Sequence, residues 1–488
     1  MKVIRVLLIL SPLLLLSNIA HAADRVRPAV NAGPWYPAEP AALRKALDGY
    51  LAQAPKIDLG GPPVAIIVPH AGYRYSGRCA GAVYALLRGR DIHRVIVLAP
   101  SHHVSFRGGS IVDADFYDTP LGKIPIDRSA CKALLEKPLM QSLPGADRDE
   151  HAIEVQLPFL EHVLGDFELI PIVLGDLWAE DPPKIAAALR EYVDANTLIV
   201  ASSDFTHYGR NYDFAPFKGD LRPQIEKLDK GAVDRILKLD APGFRSYVID
   251  TGATICGRNP ISVLLELLTP DSRGQLVQYY LSGDEEKDYT RSVSYAGIAF
   301  AVGPGEVSTA GQKTLLDIAR KTLRTTLAGQ APPVFDIRDP ELKALRGAFV
   351  TYKNKGELRG CIGHFDADTP LWKTVQQMAV AAARDDYRFA DNPITAKEEP
   401  TIRIEISILS PRVPVTDPLR FIPGVHGVYL QRGRMAGTYL PQVATEQGWD
   451  RRTFLPDLCR NKIGLAPDAW KDPATQVFIY SAQVFGED

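Results

Sequence analysis

The chain has 488 residues, of which 46% are apolar and 23% are charged, a composition typical of globular domains. Its 56 basic and 58 acidic residues leave a formal charge of −2, which does not favour a nucleic-acid partner or an anionic membrane surface. The length suits two or three domains, because single domains usually span about 100 to 200 residues.

The N-terminus differs in composition from the rest of the chain. Lys2 and Arg5 precede an apolar run over residues 6–16, and a short polar stretch ends in Ala20-His21-Ala22. This order predicts a signal peptide over residues 1–22 and a mature protein that begins near Ala23, in the periplasm or outside the cell. An uncleaved anchor is the alternative, but the run has only about half of the roughly 20 residues that a spanning helix needs. We expect no membrane span after cleavage.

From residue 64 onward, short apolar runs alternate with amphipathic segments. The pattern predicts an α/β fold with a mostly parallel sheet flanked by helices. The predicted strands are 64–68, 94–98, 168–173, 197–201 and 295–302, and the predicted helices are 77–87, 154–163, 183–193 and 261–268.

A Gly- and Pro-rich segment over residues 303–311 separates two regions of the chain. It predicts a first domain over 24–304, a linker over 305–311 and a second domain over 312–488. The second domain reads as a smaller α+β unit. Its predicted elements are a helix at 313–327, a strand at 347–352, a tight turn at 358–363, a helix at 371–384 and strands at 402–409 and 427–431.

Histidines follow three of the predicted parallel strands. Ligands bind beyond the carboxyl ends of strands in open parallel sheets, so these side chains are expected to converge. A lone histidine at a strand end is usually structural, but three at equivalent ends indicate a transition-metal site. They are His70 after strand 64–68, His102 and His103 after strand 94–98, and His207 after strand 197–201.

Cysteine and carboxylate residues extend this pattern. Cys256 precedes a predicted helix, whose N-terminus is expected to lower the thiol pKa, although a small buried apolar role is the alternative. Asp204 is expected to bind the metal or orient a ligand. The segment 149–154 contributes His151 and Glu154, either as hydrogen-bonding and acid/base groups or as a helix cap.

At these residues the sequence resembles the Memo family. The resemblance implies metal ligands at His70, His102 and Cys256, with Asp204 and His207 lining the same pocket. It also implies a fold similar to class III extradiol dioxygenases, which hold iron with two histidines and a carboxylate. A thiolate in place of that carboxylate favours copper and changes the redox behaviour of iron. The matching segments are 33–37, 69–73, 100–103, 149–154, 202–207, 254–258 and 292–295.

The second domain resembles the AMMECR family. The resemblance implies an active centre at the motif formed by Arg359, Gly360, Cys361 and Gly363. Cys361 is a nucleophile or redox thiol in one interpretation, with His364 as the nearest base, and a buried cysteine of a tight turn in the other. The matching segments are 358–363, 386–389, 426–428, 438–441 and 447–449.

Proteins of these two families, together with a radical SAM enzyme, resemble the components of one system. The resemblance implies a functional link between this chain and a radical SAM protein. The signal peptide departs from that system, because a radical SAM partner is ordinarily cytosolic. Five cysteines, an odd number, predict that outside the cytosol at least one is unpaired or is shared with a metal or another chain.

The leading functional prediction is an exported metal-dependent oxidoreductase that acts on an unknown small molecule or peptide. Iron or copper is the expected metal, with zinc as an alternative. A second hypothesis is a metal-storing or metal-delivering protein whose AMMECR domain serves for docking. A third is a metal-free site for a peptide or small anion.

Overall fold

The computed structural model describes residues 24–303, 307–365 and 368–487. The predicted signal peptide and residues 304–306 of the predicted linker region lie outside these ranges. Across the described ranges, no helix combines the length and the apolar character that crossing a membrane requires. The chain forms two domains of the α/β type, each with its own sheet and apolar core.

The first domain places a large sheet between helices. Its strands are β1 (Val26–Arg27), β2 (Pro63–Val68), β3 (Arg94–Pro100), β4 (Gly109–Ile111), β5 (Phe116–Thr119), β6 (Gly122–Pro125), β7 (Met140–Gln141), β8 (Glu168–Leu174), β9 (Thr197–Ser202), β10 (His207–Tyr208), β11 (Arg273–Leu281) and β12 (Ser292–Ala301). Its helices are α1 (Pro40–Ala52), α2 (Tyr73–Tyr84), α3 (Arg128–Leu135), α4 (Pro144–Asp147), α5 (His151–Glu154), α6 (Leu157–Leu164), α7 (Asp181–Leu189), α8 (Leu221–Leu237), α9 (Ala241–Thr251), α10 (Arg258–Leu267) and α11 (Gly283–Glu286).

The centre of the large sheet is parallel and its flanks are mixed. Strands β2, β9, β3 and β8 are parallel neighbours in that order. Strand β12 runs antiparallel to β2 and β11, and β4 runs antiparallel to β8. The expectation of a mostly parallel sheet therefore holds only for the centre. Strand β12 follows β11 after a short connection, and such a connection can join only antiparallel strands.

One predicted helix is divided in the structure. The helix expected over 154–163 is observed as α6, which begins at Leu157, while residue 154 ends the separate short helix α5 and residues 155 and 156 lie between the two. Pro158 lies in the first turn of α6, where its missing N–H is tolerated. The division gives residues 150–151 a helix start of their own.

The second domain is built on an antiparallel sheet with the order β14-β13-β15-β19-β17-β18. Its strands are β13 (Ala348–Asn354), β14 (Glu357–His364), β15 (Ile402–Leu409), β16 (Val413–Pro414), β17 (His426–Arg432), β18 (Met435–Tyr439) and β19 (Gln476–Gly486). Its helices are α12 (Thr309–Leu327), α13 (Pro340–Lys343), α14 (Leu371–Arg384), α15 (Pro441–Gln447) and α16 (Arg451–Asp457).

Helix α12 begins inside the segment predicted as the linker 305–311. The Ser308 hydroxyl accepts a hydrogen bond from the Gly311 N–H at 3.1 Å and caps the helix, which starts at Thr309. A glycine in the first turn made this segment resemble a linker. The helix therefore takes up the last three residues of that predicted linker.

The second domain packs against the amino-terminal edge of the first domain's parallel strands. The guanidinium of Arg451 donates to the Val193 carbonyl at 2.9 Å, just before β9. The buried His426 ring donates from Nε2 to Asp271 at 3.1 Å, beyond the carboxyl end of α10. Both contacts lie at the opposite end of the sheet from the carboxyl ends of β2, β9 and β3. The second domain therefore covers the far side of the first domain from the histidines.

Candidate metal centre

The histidines that follow the parallel strands meet at one edge of the sheet. His70 lies two residues after β2, and His102 lies two residues after β3. Strand β9 runs between them and leads into Asp204 and His207. Since the carboxyl ends of parallel strands share an edge, all four side chains line one cavity.

A third histidine joins His70 and His102. Potential ligand atoms of His70, His102 and His151 all lie within 4.8 Å of one another. The His151 ring stacks on that of His102, with centroids 4.6 Å apart, and on that of Trp35 at 4.0 Å. The sequence assigned His151 a supporting role, whereas the structure places it among the potential ligands.

Hydrogen bonds fix the tautomer of His70. Its Nδ1 lies 2.9 Å from the Ser202 hydroxyl, and that hydroxyl donates its proton to the Ala152 carbonyl at 2.6 Å. Ser202 must therefore accept from His70, so Nδ1 carries the proton and Nε2 presents a lone pair. Burial first, and then the neighbouring histidines, lower the His70 pKa and keep the ring neutral.

A buried carboxylate fixes His102 in the same way. The Glu150 Oε1 lies 2.8 Å from His102 Nδ1, and Oε2 accepts the His102 backbone N–H at 2.7 Å. Burial alone would raise the Glu150 pKa, but hydrogen bonds and charge from His102 lower it to about 2. The ionised carboxylate can only accept, so His102 carries its proton on Nδ1 and leaves Nε2 free.

Sequence reasoning missed Glu150 as the residue that orients His102. The segment 149–154 contains three carboxylates, and the sequence does not show which of them faces the strand ends. The signal was the position of Glu150 immediately before α5, where its Oε1 also accepts the Ala152 N–H at 3.0 Å. Glu150 therefore both caps α5 and orients His102.

Glu154, assigned by the sequence to the site, lies elsewhere. One of its oxygens forms an ion pair with Arg27, and the other accepts from the Tyr36 hydroxyl at 2.7 Å and the Asn31 N–H at 2.7 Å. Neither Glu154 nor Arg27 lines the cavity. Arg27 also donates to the Glu150 carbonyl at 2.8 Å. Glu154 thus fixes the N-terminal segment and acts on the site only through the backbone.

Cys256 completes the cluster. Its Sγ lies 3.2 Å from His70 Nε2, in the turn before α10. That turn packs closely on Ser203, because a Cβ on Gly257 would lie 2.2 Å from the Ser203 Cβ. Burial, followed by the charge of Asp204, raises the Cys256 pKa. The expected lowering by the helix start is therefore wrong for the thiol as it stands, because desolvation outweighs the helix dipole.

Asp204 and His207 line the same cavity. The Asp204 Oδ1 accepts the His70 N–H at 2.8 Å and the Ala71 N–H at 3.3 Å, and so fixes the backbone that carries His70. Burial raises the pKa of the Asp204 carboxyl. His207 Nδ1 lies 3.0 Å from the Thr254 carbonyl, which can only accept, so Nε2 of His207 is a proton acceptor.

The main cleft in front of these residues has a volume of about 660 Å³. This size lies within the usual range of small-molecule sites, about 300 to 1,000 Å³. Its walls combine aromatic rings with charged side chains: Trp35, Tyr75, Tyr212, Tyr295, Glu286, Asp288 and Arg291. The composition suits an organic ligand that carries both apolar and polar groups.

The donor set fits a transition metal. Typical metal–nitrogen and metal–sulfur bonds at a tetrahedral angle separate the two donor atoms by about 3.6 Å. The 3.2 Å between His70 Nε2 and Cys256 Sγ is close to that separation. Imidazole and thiol donors suit copper, zinc and iron, whereas magnesium and calcium prefer oxygen. His70, His102 and His151 could therefore hold a transition metal, and Cys256 lies beside His70 as a further potential donor.

The motif of the second domain is a strand rather than the predicted turn. Residues 357–364 pair with β13, with a β-bulge that leaves Arg359 without a partner between Leu358 and Gly360. A Cβ on Gly360 would lie 2.1 Å from the Ala382 carbonyl of α14, and one on Gly363 would lie 2.2 Å from the Phe349 ring. The two glycines permit close packing on opposite faces of the strand, which the sequence cannot distinguish from a turn.

Cys361 lies on this strand, half-buried. Its sulfur accepts a hydrogen bond from the Thr351 hydroxyl at 3.2 Å. Burial first raises the Cys361 pKa, and the neighbouring carboxylates add to the shift. His364 is three residues away and faces the opposite side of the strand, so it is not a base for this thiol. Arg359 forms an ion pair with Glu398 at 2.9 Å.

Comparison with known proteins agrees with this division of the chain. A family model described as Memo-like protein matches residues 27–299, and one described as AMMECR1 matches residues 316–485. Protein MEMO1 of Danio rerio is 34% identical over 291 residues, covering 57% of this chain and 97% of that protein. Protein MEMO1 of Homo sapiens is 32% identical over 287 residues, covering 57% of this chain and 96% of that protein.

Among solved structures, an uncharacterized protein from Pyrococcus horikoshii is 32% identical, with a TM-score of 0.34; the match covers 36% of this chain and 90% of that one. The Memo-like match spans more than half of the chain and includes every histidine of the cluster, together with Cys256. The chain belongs to the Memo family, and its Memo domain is followed by a domain that matches AMMECR1.

Proposed function

We propose that the Memo domain binds a transition-metal ion at His70, His102 and Cys256, with iron or copper as the expected metal and zinc as an alternative. One observation carries the proposal. Two imidazoles have their Nδ1 protons held by Ser202 and Glu150, so both leave Nε2 free, and the Nε2 of His70 lies 3.2 Å from the Cys256 thiol. Acceptors of this kind behind a ligand histidine are typical of protein metal sites.

We further propose redox or oxygenase-like chemistry on a small molecule or peptide in the main cleft. When bound, iron or copper would supply the redox chemistry. His207 would accept a proton at Nε2, while Trp35 and the cleft tyrosines would bind apolar parts of the substrate and exclude water. The resemblance to extradiol dioxygenases supports this class of reaction. Cys256 in place of a carboxylate sets this site apart from those enzymes.

A second candidate is metal storage or delivery without turnover. The observation in its favour is His151, which would bring the number of protein donors to four. A metal with four protein ligands has no open position for substrate, as in structural zinc sites. In that case the second domain, which packs at the opposite end of the sheet, would serve for docking to a partner. A metal-free peptide or anion site is the third candidate, and it would keep its ligand after chelation.

We also propose that the chain is exported and loses residues 1–22. The basic residues, the short apolar run and the Ala20-His21-Ala22 sequence support this. N-terminal sequencing of the protein from fractionated cells should find a chain that begins at Ala23 in the periplasmic or external fraction. A full-length chain in the cytosol would contradict the proposal.

The metal proposal is tested by elemental mass spectrometry on untagged protein purified without chelators. The wild type should contain near-stoichiometric iron or copper, and a His70→Ala/Cys256→Ser variant should contain almost none. A His93→Ala variant is the matched control, because His93 is exposed and pairs only with Asp91 among the described residues. Equal metal in all three proteins, or none in any, would contradict the proposal.

Slow metal exchange and no substrate-dependent oxygen consumption in the metal-loaded wild type would favour storage over catalysis. Rapid exchange with oxygen consumption that the Cys256→Ser variant lacks would favour the redox reaction. The two candidates thus make opposite predictions for the same preparation.

A further inference from the structure

A second cavity lies on the other side of His102. It has a volume of about 360 Å³ and is formed by residues 100–105, 174–176 and 255–259, which we call the thiol-side cleft. His102 lines both cavities, whereas Cys256 lines the thiol-side cleft and is absent from the lining of the main cleft. The sulfur of the candidate metal centre is therefore reached from a different cavity than the histidines His70 and His151.

The thiol-side cleft contains a cationic side chain that has no ion-pair partner among the described residues. That side chain is Arg258, which lines the cleft. Its Nε is buried and has no hydrogen-bond partner in that part of the chain.

No neighbouring carboxylate forms an ion pair with Arg258 in the described part of the chain. The Arg245 guanidinium donates to Asn259 Oδ1 at 3.1 Å, and burial together with the Arg258 charge lowers its pKa. Asp176 is the carboxylate of the cleft, and its Oδ2 accepts from the Ser105 hydroxyl at 2.9 Å. Arg258 is thus the guanidinium that lines this cavity, and Arg245 lies behind Asn259.

We propose that the thiol-side cleft binds a small anion of carboxylate or phosphate type, which Arg258 holds next to Cys256. Arg258 supplies the charge-assisted donors, and the second N–H of the Asn259 amide, whose first donates to the Gly175 carbonyl at 2.7 Å, supplies a neutral one. The anion reaches the sulfur side of the centre without passing through the main cleft. Anion binding by Arg258 in this cavity does not require a bound metal.

Alkylation of Cys256 in the chelated full-length protein tests the proposal. Iodoacetate and iodoacetamide form the same S–C bond and release iodide, but only iodoacetate is an anion. Peptide mapping should show a high ratio of the iodoacetate rate to the iodoacetamide rate at Cys256. Raising the salt concentration should lower that ratio, because the attraction is electrostatic. The same ratio at Cys361 is the internal reference.

Three variants test which arginine attracts iodoacetate to Cys256. Arg258→Gln should lower the Cys256 ratio at least about threefold, because it removes the positive charge that attracts iodoacetate, and Arg258→Lys should retain most of the ratio. Arg291→Gln, which removes the arginine that lines the main cleft, should leave the ratio unchanged. A fall in Arg291→Gln without one in Arg258→Gln would overturn the proposal and direct the anion through the main cleft.

Inorganic phosphate and acetate provide a test that needs no variant. Either anion, at millimolar concentration, should protect wild-type Cys256 from iodoacetamide while leaving the Cys361 rate unchanged. Absence of protection, together with a ratio at Cys256 equal to that at Cys361, would also overturn the proposal. A result that overturns anion binding would not count against the metal proposal, because elemental analysis tests metal binding separately.

Discussion

Cys256 and Cys361 both lie in short motifs with a glycine next to the cysteine, yet their surroundings differ. Cys256 faces His70 Nε2 at 3.2 Å and borders a cavity. Cys361 lies on a paired strand, where its sulfur accepts from Thr351 and none of the described histidines contacts it. Burial raises the pKa of both thiols. The difference lies in the neighbours, because only Cys256 stands beside histidines with free lone pairs.

The largest loss of stability is expected at the ion pair that joins the N-terminal segment to helix α5, next to the candidate metal centre. Glu154→Gln removes the charge that pairs with Arg27, whose side chain is 3% exposed. Arg27 keeps its weaker buried pair with Asp147 at 3.6 Å, so urea denaturation should show a loss of at most about 3 kcal/mol, the lower end of the cost of breaking a buried ion pair. Asp386→Asn, which breaks the partly exposed pair with Arg388 beside Cys361, should cost less. Equal losses would contradict the distinction between the two regions.

Metal affinity should depend on Glu150. Glu150→Gln keeps the size of the side chain but removes the carboxylate that holds His102 Nδ1. Loss of such a partner typically weakens metal binding about 10- to 100-fold. Competition with a chromogenic chelator measures this, and Glu405→Gln, next to Cys361 in the second domain, is the control. An unchanged affinity in Glu150→Gln would show that Glu150 only caps α5.

The strand interpretation of the second motif predicts a packing effect. Gly363→Ala would place a Cβ 2.2 Å from the Phe349 ring, and such overpacking usually costs about 1 to 3 kcal/mol. Gly49→Ala on the exposed face of α1 meets nothing within 4 Å and should stabilise the protein by about 0.5 to 1 kcal/mol. Thermal unfolding compares the two. A harmless Gly363→Ala would restore the interpretation of this motif as a turn.

The smallest effect concerns Arg359, which the sequence placed at an active centre. Hydrogen bonds from Arg359 lower the Glu398 pKa to about 2. A lowered carboxyl pKa stabilises the fold above the unfolded value of about 4.5 and loses that contribution as the pH falls towards 2. Because the pair is partly exposed, Glu398→Gln should cost at most about 1 kcal/mol at pH 7. The difference from wild type should shrink between pH 4.5 and 2, and a constant difference would contradict this pairing.

Much of the fold followed from sequence pattern. The order of apolar and amphipathic segments predicted the central strands β2, β3, β8 and β9 within a few residues, because buried parallel strands are continuous apolar runs. Helix α14 was predicted at Leu371–Arg384, as observed. The antiparallel flanks were not predicted, since strand direction depends on tertiary pairing rather than on local pattern.

The site was partly predictable for a similar reason. His70, His102 and His207 follow strands, so topology alone brings them together. The roles of Glu150, His151 and Glu154 could not be separated, because the break between α5 and α6 decides which side chains face inward. The role of the glycines around Cys361 could not be predicted. Two nearby glycines occur both in tight turns and in strands that pack closely on their neighbours, and here they belong to a strand.

X-ray absorption spectroscopy of the metal-loaded protein tests the central claim most directly. Wild type and Cys361→Ser should both show nitrogen scatterers near 2.0 to 2.1 Å and one sulfur scatterer near about 2.3 Å, the usual lengths for imidazole and thiolate ligands. Cys256→Ser should lose the sulfur scatterer. A spectrum without sulfur in the wild type, or one in which Cys361→Ser removes it, would contradict the assignment of the metal to His70, His102 and Cys256.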